Sequence, residues 1–293
     1  MGFVQRQLGL ALRARVAGEG AVGRSAEIWG TPGPRRFSSA DPIWRVHDNA
    51  SMYAGGIAAL LLQSLHPQAM AGVAGHSGYK SDPWGRLQRT ADYIAATTFG
   101  TDEIAEASFA KVRSIHSRVR GKDYFGRPYR ADDPDLLRWV GTAEAYAFLT
   151  AFQRFARAPL SRADADTYVA QAGVLAAELG ATDMPTTVAQ LDAALTAYRP
   201  HLVATPAARE AADFLLKEPP LPLAARGGYA LLAAGAVALL PDWAREALDL
   251  PLSPMAMRLG EGAGKSATAM VAWGLAGLSD ESARADHRGR SQR

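Results

Sequence analysis

A chain of 293 residues with 48% hydrophobic content is long enough to bury a substantial core as one large domain or two closely packed ones. It contains no cysteine, which excludes disulfides, thiolate metal sites, iron–sulfur clusters and cysteine nucleophiles, and fits a reducing compartment. The 32 basic residues are diluted by 29 acidic ones to a net charge of +3, which does not suit a nucleic-acid-binding protein.

Alanine and leucine dominate, and no alternating run rich in Val, Ile or Thr stands out, so the composition predicts an all-α protein. Residues 1–40 are basic, glycine-rich and broken by Thr31-Pro32-Gly33-Pro34-Arg35-Arg36. They predict a short amphipathic helix, with Leu8, Leu12 and Val16 four apart, followed by a linker. The start lacks the sustained apolar core of a signal peptide. Asp41-Pro42 then opens the main domain with an N-cap and a proline at the first helical position. Residues 51–65 are apolar nearly all round, Pro67 interrupts them, and a short helix follows to Val73.

Asp82-Pro83 predicts a helix through Phe99, stopped by Gly100, and the next runs from Asp102 to Val119 with Gly121 just beyond. Asp133-Pro134 opens a long apolar and aromatic helix through Phe155. Further helices are expected near 161–179, 187–199, 206–217, 222–240 and 254–276, separated by glycine and proline stops. The longest apolar run, Gly228 to Pro241, is short for a membrane span and reads as a core helix. Residues 277–293 are polar and charged and predict disorder. The expectation is one helical domain over 41–276 in a cytoplasmic protein, with the N-terminal segment a candidate for peripheral membrane contact.

Polar groups are costly to bury unless something satisfies them, so those set into helical sequence are the candidate site. Arg86, Arg89 and Thr90 stand at i, i+3 and i+4 in the first two turns of a helix, where backbone donors and the helix dipole favour an anion. The spacing fits a carboxylate or phosphate clamp, and equally two solvated arginines. His116 lies on an apolar stripe with Val112 and Val119, among Lys111, Arg113, Arg118 and Arg120. It reads either as a core histidine bonded to a carbonyl or as a metal ligand near positive charge. His66, before a proline at a helix break, and His76, in a glycine-flanked turn with Ser77, read as structural residues or as pocket lining. His47, His201 and His287 stand apart. Gly260-Glu261-Gly262-Ala263-Gly264-Lys265-Ser266 is not a phosphate loop, because Leu259 stands where the first glycine is needed and no strand precedes it.

Leu60 to Pro67, Gly75-His76-Ser77, Asp82-Pro83 with Arg86-Leu87 and Arg89-Thr90, Phe99-Gly100, Val112-Arg113 with His116 and Val119-Arg120-Gly121, and Tyr129 to Pro134 with Trp139-Val140 form an ordered set. Over about residues 41–255 it resembles the family of the rubber oxygenase (latex-clearing protein) and MpaB-type oxygenase catalytic domains. The resemblance implies an all-helical fold enclosing one haem b, with O2 as co-substrate. His116 falls on the axial iron ligand of the rubber-cleaving relatives, and Arg86 and Thr90 on residues beside the haem. The implied activity is oxidation of a hydrophobic, isoprenoid or lipid-like small molecule, with oxidative alkene cleavage as the specific reaction.

Two positions depart from those relatives. Arg89 replaces a lysine that covers the distal side of the iron. A guanidinium stays protonated and cannot serve as a neutral ligand, so Arg89 would instead bind a propionate or close the pocket. Met70 and apolar neighbours stand where those relatives carry a glutamate proposed as a base. A non-catalytic haem-binding or sensing protein and a cofactor-free helical scaffold remain compatible with the same residues.

Overall fold

Three Asp-Pro steps start the helices that frame the interior. In the computed structural model, which describes residues 3–18, 21–76, 78 and 81–290, Asp41, Asp82 and Asp133 each precede a helix with proline in its first turn. Proline suits that turn because its fixed φ is already helical and its missing N–H is not needed there. The Asp82 carboxylate accepts from the Gly85 N–H at 2.9 Å, and Asp133 accepts from Asp135 and Leu136 at 3.0 and 3.3 Å. Asp133→Ala removes the oxygen that accepts both bonds and is expected to cost about 1 kcal/mol. A lower urea midpoint with an unchanged slope would register that loss.

The chain runs through α1 (Phe3–Ala17), α2 (Ala21–Gly30), α3 (Pro42–His47), α4 (Met52–Ser64), α5 (Pro67–His76), α6 (Pro83–Phe99) and α7 (Asp102–His116). An antiparallel hairpin of β1 (Arg120–Lys122) and β2 (Pro128–Arg130) follows, pairing Gly121 with Tyr129. Then come α8 (Pro134–Phe155), α9 (Arg162–Glu178), α10 (Val188–Tyr198), α11 (Pro206–Lys217), α12 (Leu223–Leu239), α13 (Asp242–Ala247) and α14 (Pro254–Arg290). The chain is an all-α domain, and the hairpin is the one β element among the described residues.

Where sequence and structure differ, a specific bond or contact is responsible. The helix expected through Val119 stops at His116, because the Val119 carbonyl accepts from the Ala131 N–H at 2.9 Å and turns the chain into the hairpin. The hairpin turn is held by Asp123, whose carboxylate accepts from the Phe125 and Arg127 N–H groups at 2.9 Å each. The linker expected after α1 contains a second helix, α2. Arg35 closes its end by donating to the carbonyls of Ile28, Trp29 and Thr31, and also to that of Phe99. Arg36 pairs with Glu178 at 2.8 Å. Thus the basic stretch is tied into the domain. Leu8 and Gln5 of α1 reach Gly274 and Gly277 of α14, whereas the side chain of Val16 lies outside those described. At the other end α14 continues to Arg290, through a segment whose polarity predicts disorder but which holds no proline and, after Gly277, no glycine before Gly289. Residues 291–293 lie outside those described.

The core sits between α4 and α8, which cross closely at Gly55. A Cβ there would lie 3.1 Å from Ala151 Cβ and from Phe148 Cδ1. Trp139, Tyr168, Phe109, Leu61 and Leu62 are fully buried around this crossing. The chain bends by 110° between α4 and α5. Leu65 and His66 form the corner, where Pro67 denies a continuing helix its N–H. On the other side α12 and α14 touch backbone to backbone, with a Cβ on Gly235 falling 2.5 Å from Gly264 Cα. That contact explains the glycine-rich run at 260–264, which serves helix packing.

Candidate functional site

The α6–α7 pair carries the residues that the sequence singled out. Only Gly100 and Thr101 separate the two helices, and they pack against each other. Arg86 stands near the start of α6 and His116 ends α7, and their charged neighbours differ: Arg86 acts on Glu144, and Asp132 acts on His116.

His116 is half-buried, and its Nδ1 is shut off from solvent with no hydrogen-bond partner. Burial lowers its pKa from the ordinary histidine value, with Asp132 opposing the shift. The imidazole is therefore neutral near pH 7, the form that ligates a metal. Arg86 is half-buried and close enough to Glu144 to act on its ionisation. Arg89 and Thr90 are exposed on the same helix. Arg89 folds back onto the Asp82 carboxylate at 3.1 Å, and the Thr90 hydroxyl donates to the Arg86 carbonyl at 3.1 Å. Of the three residues placed on one face by spacing, Arg86 is the one directed inward.

His66 is 8% exposed at the α4–α5 corner, its ring tilted over Trp139 at 6.3 Å. Its Nδ1 is buried without a partner, and burial takes its pKa down to about 4. His76 ends α5 and is exposed, and Ser77 beside it lies outside the described residues. Met70, where the resemblance would place a glutamate, is 2% exposed and packs with Ala208 and Ala211 in a small apolar cluster.

Sequence reasoning missed the polar group between α3, α4, α6, α8 and α9. His47, which the sequence leaves isolated, ends α3 with its Nδ1 2.8 Å from the Thr98 hydroxyl and its ring edge-on to Phe148 and Tyr168. Its Nε2 is buried and unpartnered, as is the Tyr168 hydroxyl. Burial lowers the His47 pKa to about 3. Across from it Gln63 donates to Glu144 Oε1 at 3.1 Å. Desolvation raises the Glu144 pKa, with the Gln63 bond and the Arg86 charge opposing it. The usable signal was Glu144 itself, a single acid inside the apolar run from Trp139 to Phe155.

The side of α4 near this group is incompletely filled. Met52, Tyr53, Gly56, Leu60 and Gln63 are half-buried, whereas Ala54, Ala58, Leu61 and Leu62 are buried. At the helical repeat the half-buried residues fall in one arc of about 100°. A Cβ built on Gly56 would meet nothing within 4 Å. An apolar opening beside unpartnered imidazole nitrogens and an inward arginine suits an apolar, anionic, metal-bearing group. Among the described residues no three His, Asp or Glu side chains converge as a metal site, but a porphyrin brings four nitrogens of its own and needs only an axial ligand.

Residues 44–273 match the family of the ER-bound oxygenase mpaB/B'/rubber oxygenase, catalytic domain. The chain belongs to this family. No curated protein and no solved structure matches it. The match takes in every candidate side chain above, from His47 to Tyr168, and leaves α1 and α2 outside. Membership makes this an oxygenase-type catalytic domain, and an oxidoreductase by class. Among the described residues no single helix of this oxygenase domain is long and apolar enough to cross a membrane.

Proposed function

We propose that this oxygenase-family domain binds haem b and uses O2 to oxidise a hydrophobic isoprenoid or lipid-like molecule, with oxidative alkene cleavage as the reaction. The observation that carries the reading is the neutral His116 imidazole, with a buried ring nitrogen that no described protein group satisfies. His116 would hold the iron, and Arg86 would balance a propionate. Haem, when bound, supplies the O2 chemistry, and the protein supplies ligand, polarity and shape.

The chain's other residues set the surroundings. Met52 and Leu60 present an apolar wall that suits an apolar substrate and sheds water. Glu144, held by Gln63 and with a raised pKa, is an interior carboxyl able to hold a proton, a role that Met70, with no ionisable group, does not fill. Thr90 already donates within its own helix, and Arg89 is paired with Asp82, so each must give up a bond to act on a bound group.

A second reading of the ligand rests on His47. Its Nδ1 is held by Thr98 and its Nε2 is free, the arrangement of an imidazole oriented by a partner on its other nitrogen. Haem-loaded His116→Ala and His47→Ala separate the two. Loss of the axial ligand in the first, with the second unchanged, supports His116, and the reverse result assigns His47. Oxidised products from polyisoprene oligomers or lipid extracts under O2, absent under nitrogen, are the expected activity. A haem-loaded protein that oxidises neither would be a binder or sensor.

A further inference from the structure

Six large apolar side chains of α12 and α14 lie exposed, among them Leu223 at the start of α12. On α14, Met255, Leu259, Met270 and Trp273 are 69%, 67%, 37% and 48% exposed, and Leu231 of α12 is 40% exposed. At the helical repeat the four α14 residues fall in one arc of about 60° over five turns. The opposite side of α14 holds Gly260, Gly264, Ala267 and Val271, and packs on α12 and the core. The stripe is therefore a second apolar face, on a helix whose first is already covered. Single exposed apolar residues are ordinary, but two pairs on one arc, Met255 with Leu259 and Met270 with Trp273, mark a surface that something covers.

Charge selects what covers it. The helices α1, α12 and α14 lie side by side: Leu8 reaches Gly274, and Met270 reaches Gly228 of α12. α1 carries Arg6, Arg13 and Arg15, α12 carries Arg226, and α14 as far as Gly277 carries Arg258 and Lys265. Against these six bases stands one acid, Glu261, so the three helices hold +5 where the whole chain holds +3. A second copy docking face to face would press like charge on like charge. An anionic lipid surface instead accepts leucine, methionine and tryptophan into its interface while attracting the surrounding bases.

We propose that the α12–α14 face, with the basic helix α1 beside it, docks on the surface of an anionic lipid bilayer. Contact is peripheral, since no single described helix is long and apolar enough to cross. The assignment stands apart from haem binding, and either can fail without the other. Its test is sedimentation of the full chain with vesicles of phosphatidylglycerol and phosphatidylcholine, against phosphatidylcholine alone. Binding is expected to the anionic vesicles, weakening with salt, with little to the neutral ones. The double variant Met255→Glu, Leu259→Glu alters two side chains that are 69% and 67% exposed, so it should fold and melt as the parent does. Its partitioning should fall about tenfold or more. Absence of binding to anionic vesicles, or undiminished binding by the variant, overturns the proposal. A lipid-free dimer that the variant dissolves assigns the face to a second copy and overturns it equally.

Discussion

Gly235→Ala is expected to destabilise the protein by about 3 kcal/mol, whereas Gly262→Ala, on the helix that packs against it, is expected to stabilise by up to about 1 kcal/mol. Alanine favours a helix over glycine by about 1 kcal/mol wherever its methyl has room. At Gly262 a Cβ meets nothing within 4 Å, so the propensity gain is all that remains. At Gly235 the same methyl would stand 2.5 Å from Gly264 Cα and 3.4 Å from Phe155 Cε2. The first contact is backbone, which no side-chain rotation relieves, so α12 and α14 must separate and loosen the packing around Phe155. Denaturant unfolding of both variants is the check. A Gly235→Ala protein as stable as its parent would mean that the helices do not approach at this point.

Stability is also expected to fall as pH drops from about 6.5 toward 5. Burial lowers the pKa of His47 to about 3 and that of His66 to about 4, from an ordinary histidine value of 6.5. Their contribution is whole above the unfolded value and is lost as pH falls, because the unfolded chain takes up protons that the folded one refuses. At pH 5 each costs about 2 kcal/mol, a large share of an ordinary folding free energy. His116 shifts in the same direction. Glu144 and Asp48 have raised values, so their contributions are present in acid and lost as pH rises, which offsets part of the histidine loss at the lower end. Urea midpoints at stepped pH should decline between 6.5 and 5, and His47→Gln should flatten the slope. A flat profile in the parent would show that these imidazoles reach water.

Much of the fold was legible because helix starts are written locally. Asp82-Pro83 and Asp133-Pro134 announce α6 and α8 within a few residues, and Gly100 marks the end of α6. The hairpin at 120–130 was not legible, since its strands are three residues each, carry charge and depend on Asp123 bonding forward to Arg127. The candidate site was legible in part. Arg86 and His116 lie on two consecutive helices, so spacing and resemblance reach them together. His47 was passed over because its partners, Thr98 and Tyr168, are far along the chain, and no periodicity encodes that meeting. The glycines at 260–264 could be rejected as a phosphate loop from sequence, but their packing role emerges only with α12 alongside.

The most direct test of the central claim is the absorption spectrum of protein purified with adequate haem supply, paired with a pyridine haemochrome assay. One haem b per chain, with a Soret band whose axial-ligand signature changes in His116→Ala, is the predicted result. A colourless protein after haem reconstitution, or a haem spectrum that neither His116→Ala nor His47→Ala alters, would contradict it.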